Sequence, residues 1–367
     1  MKTSKSNISK IVIVVSLVSI LAISGCVTQG SSFFDSLFGK VGDIFGLDVV
    51  KPSRQVSAIG VTDPLVIDRV WTLPENRVLP DTTLQVFMEV SNKDNDPSKQ
   101  GYPKVNIFDA GVFKDRNGNK FCNSYTLPKS IDECGPNPIT CGSGAARDNE
   151  KKCELKIGAT KQIDFVLKGP TKEEIANVIT KAKINYKVSY SYKGGTNYEI
   201  LVVSYNEILR RQKDGKALTT NLIDTKGSGP IKIDVELGTP YVISGEPSTT
   251  TKAYIIFKLR NAGSGSLVGS AIEKEGGLKI FIPTELGAKI ESPDFECSVE
   301  GADNVCKNKE EIKFFKSESE PFQIIVSDII KLPEGTPFRT HLIKAEVFYD
   351  YELRGSAEVE INPIIKR

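Results

Sequence analysis

The second half of this chain repeats the first. Pro64-Leu65-Val66-Ile67-Asp68 followed by Pro74 returns as Pro230-Ile231-Lys232-Ile233-Asp234 followed by Pro240, at the same internal spacing. A run ending Glu89-Val90-Ser91-Asn92 returns as Lys258-Leu259-Arg260-Asn261, and Val188-x-Tyr190-x-Tyr192 returns as Val347-x-Tyr349-x-Tyr351. The offsets, 166, 169 and 159 residues, keep order and approximate spacing from end to end. Self-similarity on that scale means one structural unit present twice in tandem.

The unit is built from strands. Beyond Lys51, apolar and polar residues alternate over short runs bounded by Gly, Pro, Asn and Asp, the pattern of half-buried strands. Strands are expected at 65–73, 84–90, 105–113, 161–167, 184–192 and 198–204, and again at 231–237, 253–259, 278–282, 311–315, 322–326, 343–351 and 357–361. Helix is sparse; Thr171-Lys172-Glu173-Glu174 forms a capping box that predicts one short helix. The fold class expected is mainly β, with two sandwiches at 55–211 and 230–367. Residues 212–229, containing Lys213-Asp214-Gly215-Lys216 and Lys226-Gly227-Ser228-Gly229, read as the linker, and Arg210-Arg211-Gln212-Lys213 as its solvated basic face.

The N-terminus has the order of an export signal. Lys2, Lys5 and Lys10 precede an apolar run from Ile11 to Ile23, and Ile23-Ser24-Gly25-Cys26 follows. Those four residues resemble the lipobox of prokaryotic lipoproteins. That resemblance implies cleavage between Gly25 and Cys26, lipidation of the Cys26 thiol, and attachment to the extracytoplasmic face of the cell membrane. An uncleaved helix over 11–27 is the alternative, at the short edge of what spans a bilayer. Removing the first 25 of 367 residues leaves 342, ample for two cores. Within the following 26–54 stretch, Phe33, Phe34, Leu37, Phe38, Val41, Ile44 and Phe45 share one face of an expected short amphipathic helix. This stripe either lies in the membrane interface or packs on the first domain.

Of seven cysteines, six remain once Cys26 is set aside, the even number expected of disulfides in an oxidising compartment. Cys122, Cys134, Cys141 and Cys153 cluster in a polar insertion at about 115–155, giving two bridges of open pairing, and Cys297 pairs with Cys306. The insertion either presents a binding surface or is a cross-linked decoration that resists proteases. With no C-x-x-C and no histidine nearby, zinc is not expected.

Constellations that carry catalysis are poor. His341 is the only histidine and lies beside Leu342-Ile343, a structural setting. Gly263-Ser264-Gly265 followed by Gly269 lacks the G-x-G-x-x-G spacing of a dinucleotide loop. Asp115-Arg116-Asn117-Gly118-Asn119 alternates oxygen ligands, yet the position a calcium loop gives to glutamate is Thr126, so a turn at Asn117-Gly118 is favoured. Asp294 with Glu296 offers carboxylates but no evident cleft. No catalytic residue, metal or cofactor is expected. Charge is balanced, with 48 basic against 46 acidic residues, so no broad field draws nucleic acid. No Asn-x-Ser/Thr follows Cys26.

Lys258-Leu259-Arg260-Asn261-Ala262-Gly263-Ser264-Gly265, a strand running into Asn-x-Gly, resembles the immunoglobulin-like CARDB-type modules of archaeal and bacterial cell surfaces. Asn92 in Val90-Ser91-Asn92-Lys93-Asp94 is the matching corner without the glycine. The resemblance implies tandem immunoglobulin-like sandwiches used for display, adhesion or assembly, with a cell-envelope protein or glycan as partner. An extracytoplasmic hydrolase using loop carboxylates is the alternative. A solute-capturing lipoprotein would need helices alternating with strands, which the periodicity does not supply.

Overall fold

The structure, a computed structural model, describes residues 50–58, 62–75, 77–94, 103–115, 118, 155–176, 178–245 and 252–363. The export segment, Cys26, the Phe33–Phe45 stripe and Cys122, Cys134, Cys141 and Cys153 lie outside the described residues.

The first half contributes β1 (Val50–Ala58), β2 (Leu65–Leu73), β3 (Arg77–Val78), β4 (Thr83–Asn92), β5 (Lys104–Asp109), β6 (Thr160–Lys168) and β7 (Thr180–Ser204). Helix α1 (Tyr205–Asp214) and β8 (Leu218–Lys226) follow. The second half contributes β9 (Ile231–Leu237), β10 (Val242–Ser244), β11 (Ala253–Asn261), β12 (Ser266–Leu267), β13 (Ala271–Ile272), β14 (Leu278–Pro283) and β15 (Gly287–Glu291). It ends with β16 (Phe295–Glu300), β17 (Asp303–Asn308), β18 (Ile312–Phe315), β19 (Glu318–Ser319), β20 (Phe322–Ile329) and β21 (Phe338–Ile361).

The chain is mainly β. An 11-stranded sheet runs β1-β8-β7-β21-β14-β17-β16, with β5 and β10 beside β7 and β3 and β12 beside β21. Strands β2-β4-β6 form a second sheet, and β13-β18-β19-β11-β20-β15, with β9 on β11, a third. Alternation makes each strand two-faced: Leu84, Val86, Met88 and Val90 of β4, and Ile255, Phe257 and Leu259 of β11, are fully buried. They meet Ile184 and Val188 of β7 and Ile343, Val347, Val359 and Ile361 of β21 in one hydrophobic cluster. Each such side chain contributes about 1.5–3 kcal/mol by leaving water.

The duplication is visible in the register. Leu65 opposes Asn92 on β2 and β4 as Ile231 opposes Asn261 on β9 and β11. Val105 opposes Val188 as Leu278 opposes Val347. Lys93 N donates to Pro64 O at 2.7 Å, and Ala262 N to Pro230 O at 2.8 Å.

Three expectations are corrected. First, the gaps between the strands expected at 184–192 and 198–204 and at 343–351 and 357–361 are themselves extended, because β7 and β21 pair antiparallel without a break from Thr180↔Ile361 to Val203↔Phe338. Second, residues 212–229 are not a bare linker. Leu218–Lys226 alternates Leu218 and Leu222 into buried positions and pairs with β7 at Thr196↔Lys226 and Tyr198↔Asp224. The chain divides instead into Met1–Lys51 with Arg210–Leu218, and Pro52–Leu209 with Thr219–Arg367, so strands of both halves share the second unit. Within the first unit, Arg210 pairs with Asp214 at 3.7 Å one helical turn on, placing the basic run on a helix. Third, the capping box at Thr171 forms, with Thr171 N donating to Glu174 Oε2 at 2.9 Å, but caps only a turn. Ala176, at φ 48°, bends the chain away before a helix can extend.

The 24-residue β21 is paired along its whole length with β7 of the first half, while β14 and β12 of its own half cover only part of its other edge. Either half expressed alone therefore leaves one long strand without its ladder. The expected outcome is that 1–211 and 212–367 are each unfolded by amide dispersion in NMR, and that co-expression restores a cooperative transition.

Candidate functional site

The midpoint of the β7/β21 ladder is where the two halves meet symmetrically. Ser191 opposes Asp350, Tyr190 opposes Tyr351, and Tyr192 opposes Tyr349. Alternation sends all four tyrosines to one face. Their rings contact at 5.7 Å (Tyr190 and Tyr351), 6.0 Å (Tyr192 and Tyr349), 6.4 Å (Tyr190 and Tyr192) and 6.2 Å (Tyr349 and Tyr351) between centroids.

The hydroxyls are served by the duplicated Asn corners. Asn261 Oδ1 accepts from Gly263 N at 3.1 Å, its Nδ2 donates to Gly265 O at 2.9 Å, and Tyr351 donates to Asn261 Oδ1 at 2.9 Å while accepting from Gly265 N at 2.9 Å. Asn92 makes the same local turn, accepting from Asp94 N at 3.0 Å, with Nδ2 donating to Leu155 O at 2.7 Å. A Cβ on Gly263 would stand 2.6 Å from the Tyr351 hydroxyl and 2.5 Å from Pro230, so this corner requires glycine. At the first corner Asp94 takes that place, and its carboxylate instead accepts from Tyr192 at 2.8 Å. The departure from Asn-x-Gly is thus compensated by the residue that causes it. Tyr349 accepts from Ile231 N at 3.3 Å, whereas the Tyr190 hydroxyl is buried with no hydrogen-bond partner among the described residues.

The face that Ser191 and Asp350 present carries an open groove of about 530 Å³, lined by Ser191, Lys193, the loop 273–277, Phe348 and Asp350, with Tyr192 and Tyr349 also bordering it. Ser191 Oγ donates to Asp350 Oδ1 at 2.5 Å. Lys193 pairs with Glu346 at 2.9 Å, and its ammonium lies 5.1 Å from the Phe348 ring centroid, with Lys279 at 5.5 Å. Phe348 is 37% exposed. Buried Asn308 shapes the loop: its Oδ1 accepts from Leu278 N at 2.8 Å, and its Nδ2 donates to Glu273 O and Glu310 O, each at 2.8 Å. The groove is therefore a fixed surface with an aromatic ring and charges of both signs.

Other candidate residues lie elsewhere. His341 is buried opposite Ile200, and burial, with Arg339 adding to it, holds its imidazole below the usual histidine range. Asp294 and Glu296 are exposed beside β16. Gly263-Ser264-Gly265 belongs to the Asn261 corner, where Ser264 N donates to Asp63 Oδ2 at 3.1 Å. Gly118, at φ 90°, donates its N–H to Asp115 O at 3.0 Å, while Asn117 and Asn119 of the expected turn lie outside the described residues. Cys297 and Cys306 oppose each other on β16 and β17 and are joined by a disulfide. The groove was not anticipated, because Ser191, Lys193, Phe348 and Asp350 are the outward residues between the repeated tyrosines and carry no motif of their own.

No family model and no curated protein matches the chain. Among solved structures it is similar to E. coli alpha-2-macroglobulin in its native conformation, at TM-score 0.14 and 9% identity over 81% of this chain. The chain spans 17% of that protein's length. It is also similar to the CFA/I enterotoxigenic E. coli adhesin CfaE, at TM-score 0.09 and 7% identity, covering 87% of this chain and 99% of that one. At these scores the architecture rests on the strands themselves.

Two outcomes follow from the tyrosine face. Tyr351→Phe removes a donor and an acceptor from the Asn261 corner and should cost about 1–3 kcal/mol in urea unfolding. Tyr190→Phe deletes a buried hydroxyl that no described residue reaches and should be neutral or stabilising. Burial pushes Tyr351, with Asp63 adding to it, and Tyr198, against the pull of Arg54, each up to about 12, and also raises Tyr190 and Tyr349. The unfolded chain starts losing phenolic protons near pH ~10 while the folded chain keeps them. This stability is complete below that pH and is lost as pH rises towards 12, the folded value of Tyr351 and Tyr198. Phenolate absorbance should show these tyrosines ionising together with unfolding, above the exposed ones.

Proposed function

We propose that this chain is a lipid-anchored extracytoplasmic surface protein whose two immunoglobulin-like sandwiches act in binding, adhesion or envelope assembly rather than in turnover. The observation that carries the reading is the groove at the ladder midpoint. Both halves of the chain build it, with Ser191 and Lys193 from one and Glu273–Gly277, Phe348 and Asp350 from the other. Its exposed aromatic ring, flanked by ammonium and carboxylate groups, suits a polar partner such as an envelope glycan or protein, met by stacking and hydrogen bonds. The lipobox at Ile23-Ser24-Gly25-Cys26 supports attachment, and the repeated registers support two sandwiches made from equivalent strands.

The test pairs two variants. Cys26→Ser should move the protein from the membrane fraction to the aqueous one. Phe348→Ala should weaken co-sedimentation of the protein with isolated cell envelopes by about 2 kcal/mol, the scale of an aromatic hot spot, at a temperature where thermal unfolding shows the variant still folded. Unchanged sedimentation of Phe348→Ala would exclude the groove as the contact.

A further inference from the structure

Duplication alone does not explain how the halves are closed. In each half a short strand follows the proline turn, β3 after Pro74 and β10 after Pro240. β3 pairs parallel with β21, at Arg77↔Glu360 and Val78↔Ile361, so a first-half strand lies against the second half's last strand. β10 pairs parallel with β7, at Val242↔Val202 and Ser244↔Ser204, so the reverse also holds. Outward from Ser191 and Asp350, each long strand leaves the half it came from and completes the other. At both crossings the chain has the composition of a turn, Lys193-Gly194-Gly195-Thr196 and Arg354-Gly355-Ser356, yet it runs straight, with none of the three glycines in the left-handed region.

We propose that this joint is a reciprocal strand exchange, and that a second copy of the chain can supply either half, so that two chains close into a dimer through the same Ser191/Asp350 joint. The inference rests on the assembly reading above. Every ladder bond from Thr180↔Ile361 to Phe338↔Val203 is the same whether the partner half belongs to the same chain or another. What differs is the connector between Ser204 and Ile231, which carries α1 and β8 and spans about 85 Å when extended, so its length does not confine a half to its own chain. Its β8 lies between β1 and β7, pairs with β7 at Thr196↔Lys226 to Tyr198↔Asp224 and buries Leu218 and Leu222, and releasing those contacts is what opening the connector costs. In dilute solution the tethered half wins, because a linker of this kind keeps it at millimolar effective concentration. Crowding of anchored chains on one membrane is the condition that favours the second copy, and exchange of identical elements is a low-cost route to a dimer.

The test uses the full-length chain in membranes of the expressing cell. Two differently tagged forms, Ser191→Cys and Asp350→Cys, are co-expressed and oxidised, and linked peptides are identified by mass spectrometry. The double variant Ser191→Cys/Asp350→Cys serves as the within-chain reference. The expected result is a disulfide between positions 191 and 350 of differently tagged chains, several-fold above the like-with-like products of either form alone, and rising with expression level. A bridge that forms only within the double variant overturns the second-copy proposal, and no bridge in either arrangement overturns the exchange altogether. Membrane retention without a chain-to-chain bridge counts against exchange alone; release from the membrane with the bridge intact counts against the anchor alone.

Discussion

The antiparallel ladder between β7 and β21 is the constraint on which the rest of the second unit depends. An antiparallel pair fixes which residue faces which, and a one-residue slip would turn every inward side chain outward. Over 24 residues of β21 such a slip would expose His341, Ile343, Val347, Tyr349, Tyr351, Val359 and Ile361 together, so the register is held by burial at both ends at once. Strands β5, β8 and β10 take their places along β7, and β14, β12 and β3 along β21, only because that pairing is set. The sequence separation of the two strands makes this a non-local contact, which places its entropic cost at the centre of folding.

Four tyrosines at the midpoint show how the ladder tolerates polar atoms in its interior. Phenol rings supply large apolar area, and a hydroxyl is accommodated where a donor or acceptor reaches it. Three of the four are reached, by the Asn261 corner, by Asp94 and by Ile231 N, each belonging to a segment just before or after a repeated strand. The corners therefore act on the ladder as well as on their own turns. This couples β2 and β4 with β9 and β11 through side chains at one point, and explains why Asn recurs in both copies while the glycine does not.

Much of this was legible in the sequence. The strand at 65–73 and that at 231–237 have the bounds expected from alternation, and β4, β6, β11, β14 and β20 are extended by only a few residues. The register equivalence of Leu65 with Ile231 and of Asn92 with Asn261 was implicit in the repeat. What was not legible is which strand closes which sheet. Gly194, Gly195 and Gly355 have the composition of hairpin turns, and local composition cannot distinguish a hairpin from a straight crossing whose partner lies some 160 residues away. Strand β8 was hidden for a similar reason, since its polar Thr219, Thr220, Asn221 and Asp224 outweigh the buried Leu218 and Leu222 in any average over the stretch. The groove gave no signal because its residues meet only once the two crossings are paired.

The described sheet edges bear on how a partner could engage this fold. A free edge invites backbone pairing with another chain, and natural sheets discourage it with charge and irregularity. On β16, Glu296 and Glu300 are exposed, Lys307 reaches Glu300 from β17 at 2.9 Å, and the Cys297–Cys306 disulfide pins the hairpin. On β15, Lys289 and Glu291 pair with each other, and β2 carries a bulge between Ile67 and Arg69. Strand addition at these edges would have to desolvate charges or straighten a bulge. The midpoint groove asks for no rearrangement of backbone, because its hydrogen-bonding and aromatic groups are side chains projecting from a ladder whose backbone is already paired. The charges and the bulge thus protect the β2, β15 and β16 edges against backbone pairing with another chain.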